Sequence, residues 1–143
     1  MQHGKIKKTD PDKQYRRVLA ASTLAGDSVK NSADEDLGKV DEIMIDIPSG
    51  RIAYAVLSFG GVLGMGSKLF AVPWSLLQVD QDQKCFVLDL DKQTLKNAPG
   101  FDKEHWPDMA DTSWSSEVHG YYGATPYWQD ADEVKTFRSG GGQ

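Results

Sequence analysis

The sequence predicts a mainly β fold: a small antiparallel β-barrel with short helices from the C-terminal part packed on it. Three observations predict this fold. Apolar and polar residues alternate over 39–47, the stretch 51–59 is apolar at both parities, and short strand-like runs recur at 68–72 and 85–90. The chain has 143 residues, 39% of them hydrophobic, which suffices for one domain with its own core.

The first strand signal is an isoleucine alternation. Ile43, Ile45 and Ile47 share one side of a strand, so we expect all three to face the core. Val40 has the opposite parity, and a bulge just after it would bring it to the same face. The Pro-Ser-Gly stretch at 48–50 then predicts a three-residue hairpin turn whose glycine is left-handed.

The return strand predicts two covered faces. Residues 51–59 are apolar at both parities, so one face would line the barrel and the C-terminal part would cover the other. The next strand, 68–72, ends at Pro73, which lacks an N–H donor and suits a sheet edge. A polar turn at 80–84 leads into a strand at 85–90.

Two helices are predicted after the strands. Asp91 is a suitable N-cap for a short helix over 92–97. Beyond it the chain is aromatic, with three of the four tryptophans. A helix over 113–122, ended by Gly123, would place one stripe of side chains against the barrel. That stripe contains Trp114, Val118, Tyr121 and Tyr122.

Composition divides the chain into four segments: a flexible basic leader (1–14), the barrel (15–98), an aromatic-rich helical flank that covers the barrel (99–130), and a frayed tail (131–143). Residues 1–17 carry six Lys/Arg against two Asp, whereas the rest carries ten against nineteen acidic residues. Because nucleic-acid binding depends on neutralising phosphates, the acidic body argues against a nucleic-acid partner.

No motif predicts catalysis, a metal site or a cofactor. In the glycine-rich stretch 60–68, Ser67 separates the last glycine from the lysine, which breaks the P-loop pattern. The stretch 80–85 begins like a calcium loop but has Cys85 where glycine is required. The three histidines lie far apart and have no partners at metal-ligand spacing. We therefore expect a protein that is not an enzyme.

The chain is expected to be cytoplasmic and not inserted in a membrane. No apolar run approaches the roughly 18–20 residues that cross a bilayer. The N-terminus has no apolar segment of the kind found in secretory signals. The single cysteine, Cys85, cannot form an intrachain disulfide, which agrees with a reducing compartment, and its apolar neighbours predict an inert buried thiol.

Roughly from Arg17 to Leu90, the chain resembles the PRC-barrel family, named for the cytoplasmic domain of the photosynthetic reaction-centre H subunit and shared by the ribosome maturation factor M. The matching stretches are Leu37-Gly38-Lys39-Val40, Ile45-Asp46, Ser49-Gly50-Arg51-Ile52-Ala53-Tyr54-Ala55-Val56, Lys68-Leu69-Phe70-Ala71-Val72-Pro73-Trp74 and Leu76-Leu77.

The aromatic part is similar to a bacterial stand-alone subgroup of the same family. Its matching stretches are Ala98-Pro99-Gly100-Phe101-Asp102-Lys103, Trp106-Pro107, His119-Gly120-Tyr121-Tyr122-Gly123 and Pro126-Tyr127-Trp128. The resemblance implies a docking or assembly module rather than a catalyst. The chain lacks the membrane helix of the reaction-centre subunit and the N-terminal domain of the maturation factor, so neither of their functions is carried over.

Two functions follow as expectations. The first is binding of a protein partner or of a second copy of the chain, through apolar residues beside mobile glycines and at the sheet edge. The expected contact residues are Phe59, Val62, Leu63, Met65 and Pro73. The alternative is a small-molecule binder with a pocket between barrel and flank. That pocket would be lined by Trp106, Trp114 or Trp128.

Overall fold

The computed structural model describes residues 18–60 and 68–128, in which six strands form one sheet with short helices beside it. The strands are β1 (Ser28–Lys30), β2 (Asp36–Asp46), β3 (Arg51–Phe59), β4 (Lys68–Pro73), β5 (Leu77–Asp80) and β6 (Cys85–Leu88). The helices are α1 (Ala21–Leu24), α2 (Lys92–Lys96) and α3 (Thr112–Tyr122), and a 3-10 turn, Trp74–Leu76, joins β4 to β5.

The sheet is mostly antiparallel, in the order β4-β3-β2-β1-β6-β5. Strands β2, β3 and β4 form a meander, β5 pairs antiparallel with β6, and β1 joins the two halves through an antiparallel pairing with β2 and a parallel one with β6. The sheet curls into a half-barrel with β4 and β5 at its two edges. The predicted fold class, a mainly β barrel-type fold with short helices, is confirmed.

The register of β2 follows the prediction in its first half and departs from it in its second. A bulge lies between Val40 and Glu42, as expected, and Ile43 packs against the core. A second register shift between Met44 and Ile45 was not predicted. Beyond it Ile45 is 52% exposed and Ile47, in the turn, 81% exposed. The expectation that these two isoleucines face the core was wrong: the extra residue of this shift lies in β3, so Ile45 keeps the parity of Ile43, but the end of the hairpin extends beyond the core.

The hairpin turn between β2 and β3 is one residue longer than predicted. Asp46 pairs with Arg51, so the loop comprises four residues rather than three. The N–H of Gly50 donates to the Asp46 carbonyl at 2.7 Å, with Gly50 left-handed at φ +75°, as expected. The Ser49 hydroxyl donates to the Asp46 carboxylate at 2.6 Å, and this hydrogen bond lowers the pKa of that carboxyl.

Strand β3 is buried on both faces, as its sequence predicted. Five consecutive residues, from Ala53 to Leu57, are buried. On the concave side they join the main core, whose largest fully buried members are Phe70, Phe86, Leu37, Leu57, Leu88 and Leu95. On the convex side Ala53 and Tyr54 belong to a second cluster, with Val118 of α3. The sheet therefore separates two apolar layers.

Both predicted helices are present, each with an aspartate cap. The Asp91 carboxylate accepts a hydrogen bond from the N–H of Gln93 at the start of α2. The Asp111 carboxylate accepts one from Ser113 at the start of α3. Helix α3 begins one residue before the predicted position and ends before Gly123, as expected. These caps satisfy backbone donors that the helices leave unpaired.

Candidate functional site

Five aromatic rings cover the convex face of the sheet. We call them the aromatic layer: Tyr54 of β3, Trp114 and His119 of α3, and Tyr127 and Trp128 after it. Tyr54 lies at the centre, with its ring centroid 5.4 Å from that of Trp114, 5.5 Å from His119 and 6.1 Å from Tyr127. Trp128 packs 5.3 Å from His119 on the outer side. These separations are those of edge-to-face aromatic packing.

Helix α3 presents a more polar face to the sheet than the sequence suggested. Ser115, Val118 and His119 are its buried residues. Tyr121, predicted to face the barrel, is 38% exposed, and its hydroxyl donates to the Thr94 carbonyl of α2 at 2.7 Å. The signal for the correct face was the i, i+4 spacing of Ser115 and His119, which a search for apolar residues alone passes over.

His119 is the least expected member of the layer. It is only 2% exposed, and its Nδ1 lies 2.8 Å from the Ser115 carbonyl oxygen, so Nδ1 carries the proton and donates. Its Nε2 is buried and has no hydrogen-bond partner among residues 18–60 and 68–128, and the same holds for the hydroxyls of Tyr54 and Tyr122. Among the described residues, no carboxylate forms a hydrogen bond or ion pair with His119.

Burial in and beside the layer changes the tyrosine pKa values. It raises the pKa of Tyr54, a rise that its polar neighbour Ser115 partly offsets, and raises that of Tyr122 strongly. Burial also raises the pKa of Tyr127 to about 12, helped by the nearby charge of Asp46, whose carboxylate accepts from the Tyr127 hydroxyl at 3.2 Å. All three phenols therefore favour their neutral form in the folded chain.

We expect the protein to lose stability in alkaline solution. A phenol whose pKa is raised by folding contributes stability that is complete below its unfolded pKa of about 10 and is lost as pH rises through the folded value. The loss should therefore begin near pH 10 and, for Tyr127, extend to about 12. Tyrosinate absorbance and circular dichroism, followed together, should show late ionisation coupled to unfolding. Ionisation of every tyrosine near pH 10 with the fold intact would contradict this.

The structure brings together two of the three tryptophans predicted to line a pocket. Trp114 and Trp128 both belong to the aromatic layer. Trp106 lies apart, 38% exposed, with its ring 5.0 Å from Phe101. Both tryptophans pack against other rings of the layer, Trp114 on Tyr54 and Trp128 on His119. The pocket between barrel and flank stays a prediction.

The predicted contact residues separate into two groups. Phe59 and Pro73 are buried, and the Phe59 ring packs 6.5 Å from that of Phe70. The other three, Val62, Leu63 and Met65, lie outside the described residues. The connection that carries them leaves β3 at exposed Gly60 and returns at exposed Lys68, which pairs with Phe59.

The described residues hold few groups suited to other chemistry. Within 18–60 and 68–128, no three His, Cys, Asp or Glu side chains are placed to hold a metal ion. Cys85 is buried, as predicted, and burial raises the pKa of its thiol, which disfavours the reactive thiolate. In the same part of the chain, every helix is too short or too polar to cross a membrane.

Comparison with known proteins gives a family and a structural neighbour. None of the curated proteins matches the chain. Among solved structures, a crystal structure described as a 16S ribosomal RNA processing protein, RimM, from Pseudomonas aeruginosa is 16% identical, with a TM-score of 0.38 over 55% of this chain. The match covers 47% of the RimM chain, about half its length. The family model of the PRC-barrel domain matches residues 16–95, more than half of the sequence. The chain therefore belongs to the PRC-barrel domain family.

Proposed function

We propose that this chain is a non-enzymatic, cytoplasmic PRC-barrel module that mediates protein–protein interaction or assembly, with a second copy of itself as one of the partners it can bind. The contact surface is the connection between β3 and β4, with the edge of the sheet near Pro73. The residues that carry the contact are Val62, Leu63 and Met65.

The observation that carries this proposal is the position of the connection. It lies between two paired residues, Phe59 and Lys68, at an edge strand of the sheet. Its sequence holds three large apolar residues among glycines. Phe59 and Pro73, buried near the two ends of this region, act as anchors for the surface rather than as contacts. Apolar side chains on a short connection between anchored strands are suited to insertion into a partner's pocket.

The chemistry of the described residues favours a binding role over catalysis. The buried histidine has no carboxylate partner, and the buried thiol has a raised pKa. The resemblance to the PRC-barrel family also implies a role in docking or assembly.

A charge placed in the connection should weaken association. Leu63→Asp in the full chain is expected to weaken self-association or partner capture about tenfold or more, because a buried apolar anchor is typically worth over 1 kcal/mol. Sedimentation over a wide concentration range measures self-association. Quantitative capture from extracts of the native cell, with the tagged full chain as bait, measures partner binding.

Ile47→Asp is the matched control. Ile47 is a large apolar residue in the turn between β2 and β3, where it is 81% exposed. Its replacement therefore removes an exposed apolar side chain from a different part of the protein surface. The control should leave association unchanged. A wild-type chain that stays monomeric at high concentration, and whose captured proteins are insensitive to Leu63→Asp, would overturn the proposal.

A further inference from the structure

A second surface lies at the end of the β5–β6 hairpin, beside α1. A cleft of about 220 Å³ opens between the start of the described chain and the turn that joins β5 to β6. Leu19, Leu24 and Val79 give it apolar walls. Its charged lining residues are Asp27, Asp80 and Lys84, two acids against one base.

Strand β5 borders this cleft and is the outermost strand of the sheet. Among the described strands it pairs with β6 alone, and Val79 at its middle is 37% exposed. The outer edge of a strand offers main-chain hydrogen bonds to an extended segment, and adjacent apolar walls accept its side chains. An extended segment that crosses the cleft can therefore continue along the outer edge of β5.

The chain itself supplies such a segment at the right place. Residues 1–17 join the described chain at Val18, which is 86% exposed, and the next residue, Leu19, lines the cleft. Running alongside the four residues of β5 takes about 13 Å. Seventeen residues can extend to about 55 Å, so the segment reaches the whole edge with length to spare.

Charge favours residues 1–17, rather than residues 18–143 of a second copy of the chain, as the segment that binds here. Residues 1–17 have a net charge of +4, and the remainder of the chain has a net charge of −9. Another acidic body would be repelled, whereas the tethered basic segment is present at an effective concentration in the millimolar range. We propose that residues 1–17 bind along the outer edge of β5 in the same molecule, with their lysines and arginines close to Asp27 and Asp80. This inference concerns a different edge and stands apart from the proposed function.

Zero-length carbodiimide cross-linking of the full chain tests the contact. We expect cross-links from Lys5, Lys7, Lys8 or Lys13 to Asp27 or Asp80, identified by mass spectrometry. Cross-linking a mixture of ¹⁵N-labelled and unlabelled chain distinguishes cross-links within one molecule from those between two molecules. A cross-link within one molecule joins two peptides that carry the same nitrogen isotope. Mixed-isotope cross-links would overturn the proposal in favour of exchange between copies. Cross-links spread evenly over the acidic residues of the body would overturn it as well.

Hydrogen exchange provides an independent readout. Replacing Lys5, Lys7 and Lys8 together by glutamine should speed amide exchange in Leu77–Asp80 by about threefold, since losing these charges weakens the tethered contact. Glu117→Gln, which changes one exposed charge on α3, is the control and should leave exchange in β5 unchanged. Equal exchange in β5 for the triple variant and the wild type would overturn the proposal.

Discussion

Replacing Gly38 by alanine is expected to destabilise the protein by about 3 kcal/mol or more. Gly38 lies in β2 with φ +97°, which L side chains rarely adopt. An added Cβ would overlap the backbone carbonyl oxygen of Ser58 in β3 and lie 3.2 Å from the Cα of Phe59. Because the obstacle is backbone, no side-chain rotation relieves it, and β2 and β3 must separate locally.

Gly50→Ala is the matched control for this result. Gly50 is also left-handed, at φ +75°, but an added Cβ there meets nothing within 4 Å. The Gly50→Ala variant therefore measures the cost of backbone strain alone, about 1 kcal/mol, without a steric clash. Urea unfolding followed by tryptophan fluorescence measures both variants. Equal losses for the two would show that β2 and β3 do not approach as closely as the structure has them.

The fold was predictable because its strongest signals are local. The apolar run of β3, the glycine of the hairpin turn and the aspartate cap of α2 each follow from residues close in sequence. The second register shift, between Met44 and Ile45, depends on how β3 lies beside β2 and has no local sign. Alternation predicts the side of the strand on which Ile45 and Ile47 lie but not where the core ends along the hairpin, so it could not predict their exposure.

The sequence predicted that aromatic residues cover the sheet, but not which residues of α3 face it. A run rich in tryptophan and tyrosine, next to a strand with two apolar faces, predicts packing of one on the other. Which α3 residues face inward depends on helix rotation, and the apolar stripe set that rotation incorrectly at Tyr121. His119 takes the inward position instead, with its Nδ1–H bonded to the Ser115 carbonyl one turn earlier in the same helix.

Replacing Tyr54 by alanine is expected to cost about 3–5 kcal/mol, the range for large aromatic residues deleted from a core. Tyr54 is 1% exposed and contacts Trp114, His119 and Tyr127 at once. Its removal should leave a cavity at the centre of the layer that the rigid sheet cannot close. Urea unfolding measures the loss, and near-ultraviolet circular dichroism should show weaker signals from the tryptophan rings.

Tyr54→Phe separates packing from hydrogen bonding at the same position. Since the Tyr54 hydroxyl is buried without a hydrogen-bond partner, its deletion should change stability by less than about 1 kcal/mol, in either direction. A phenylalanine variant as unstable as the alanine variant would mean that the hydroxyl bonds a neighbour such as Ser115. A nearly neutral alanine variant would instead mean that α3 does not pack on the sheet, and the aromatic layer would then be no structural unit at all.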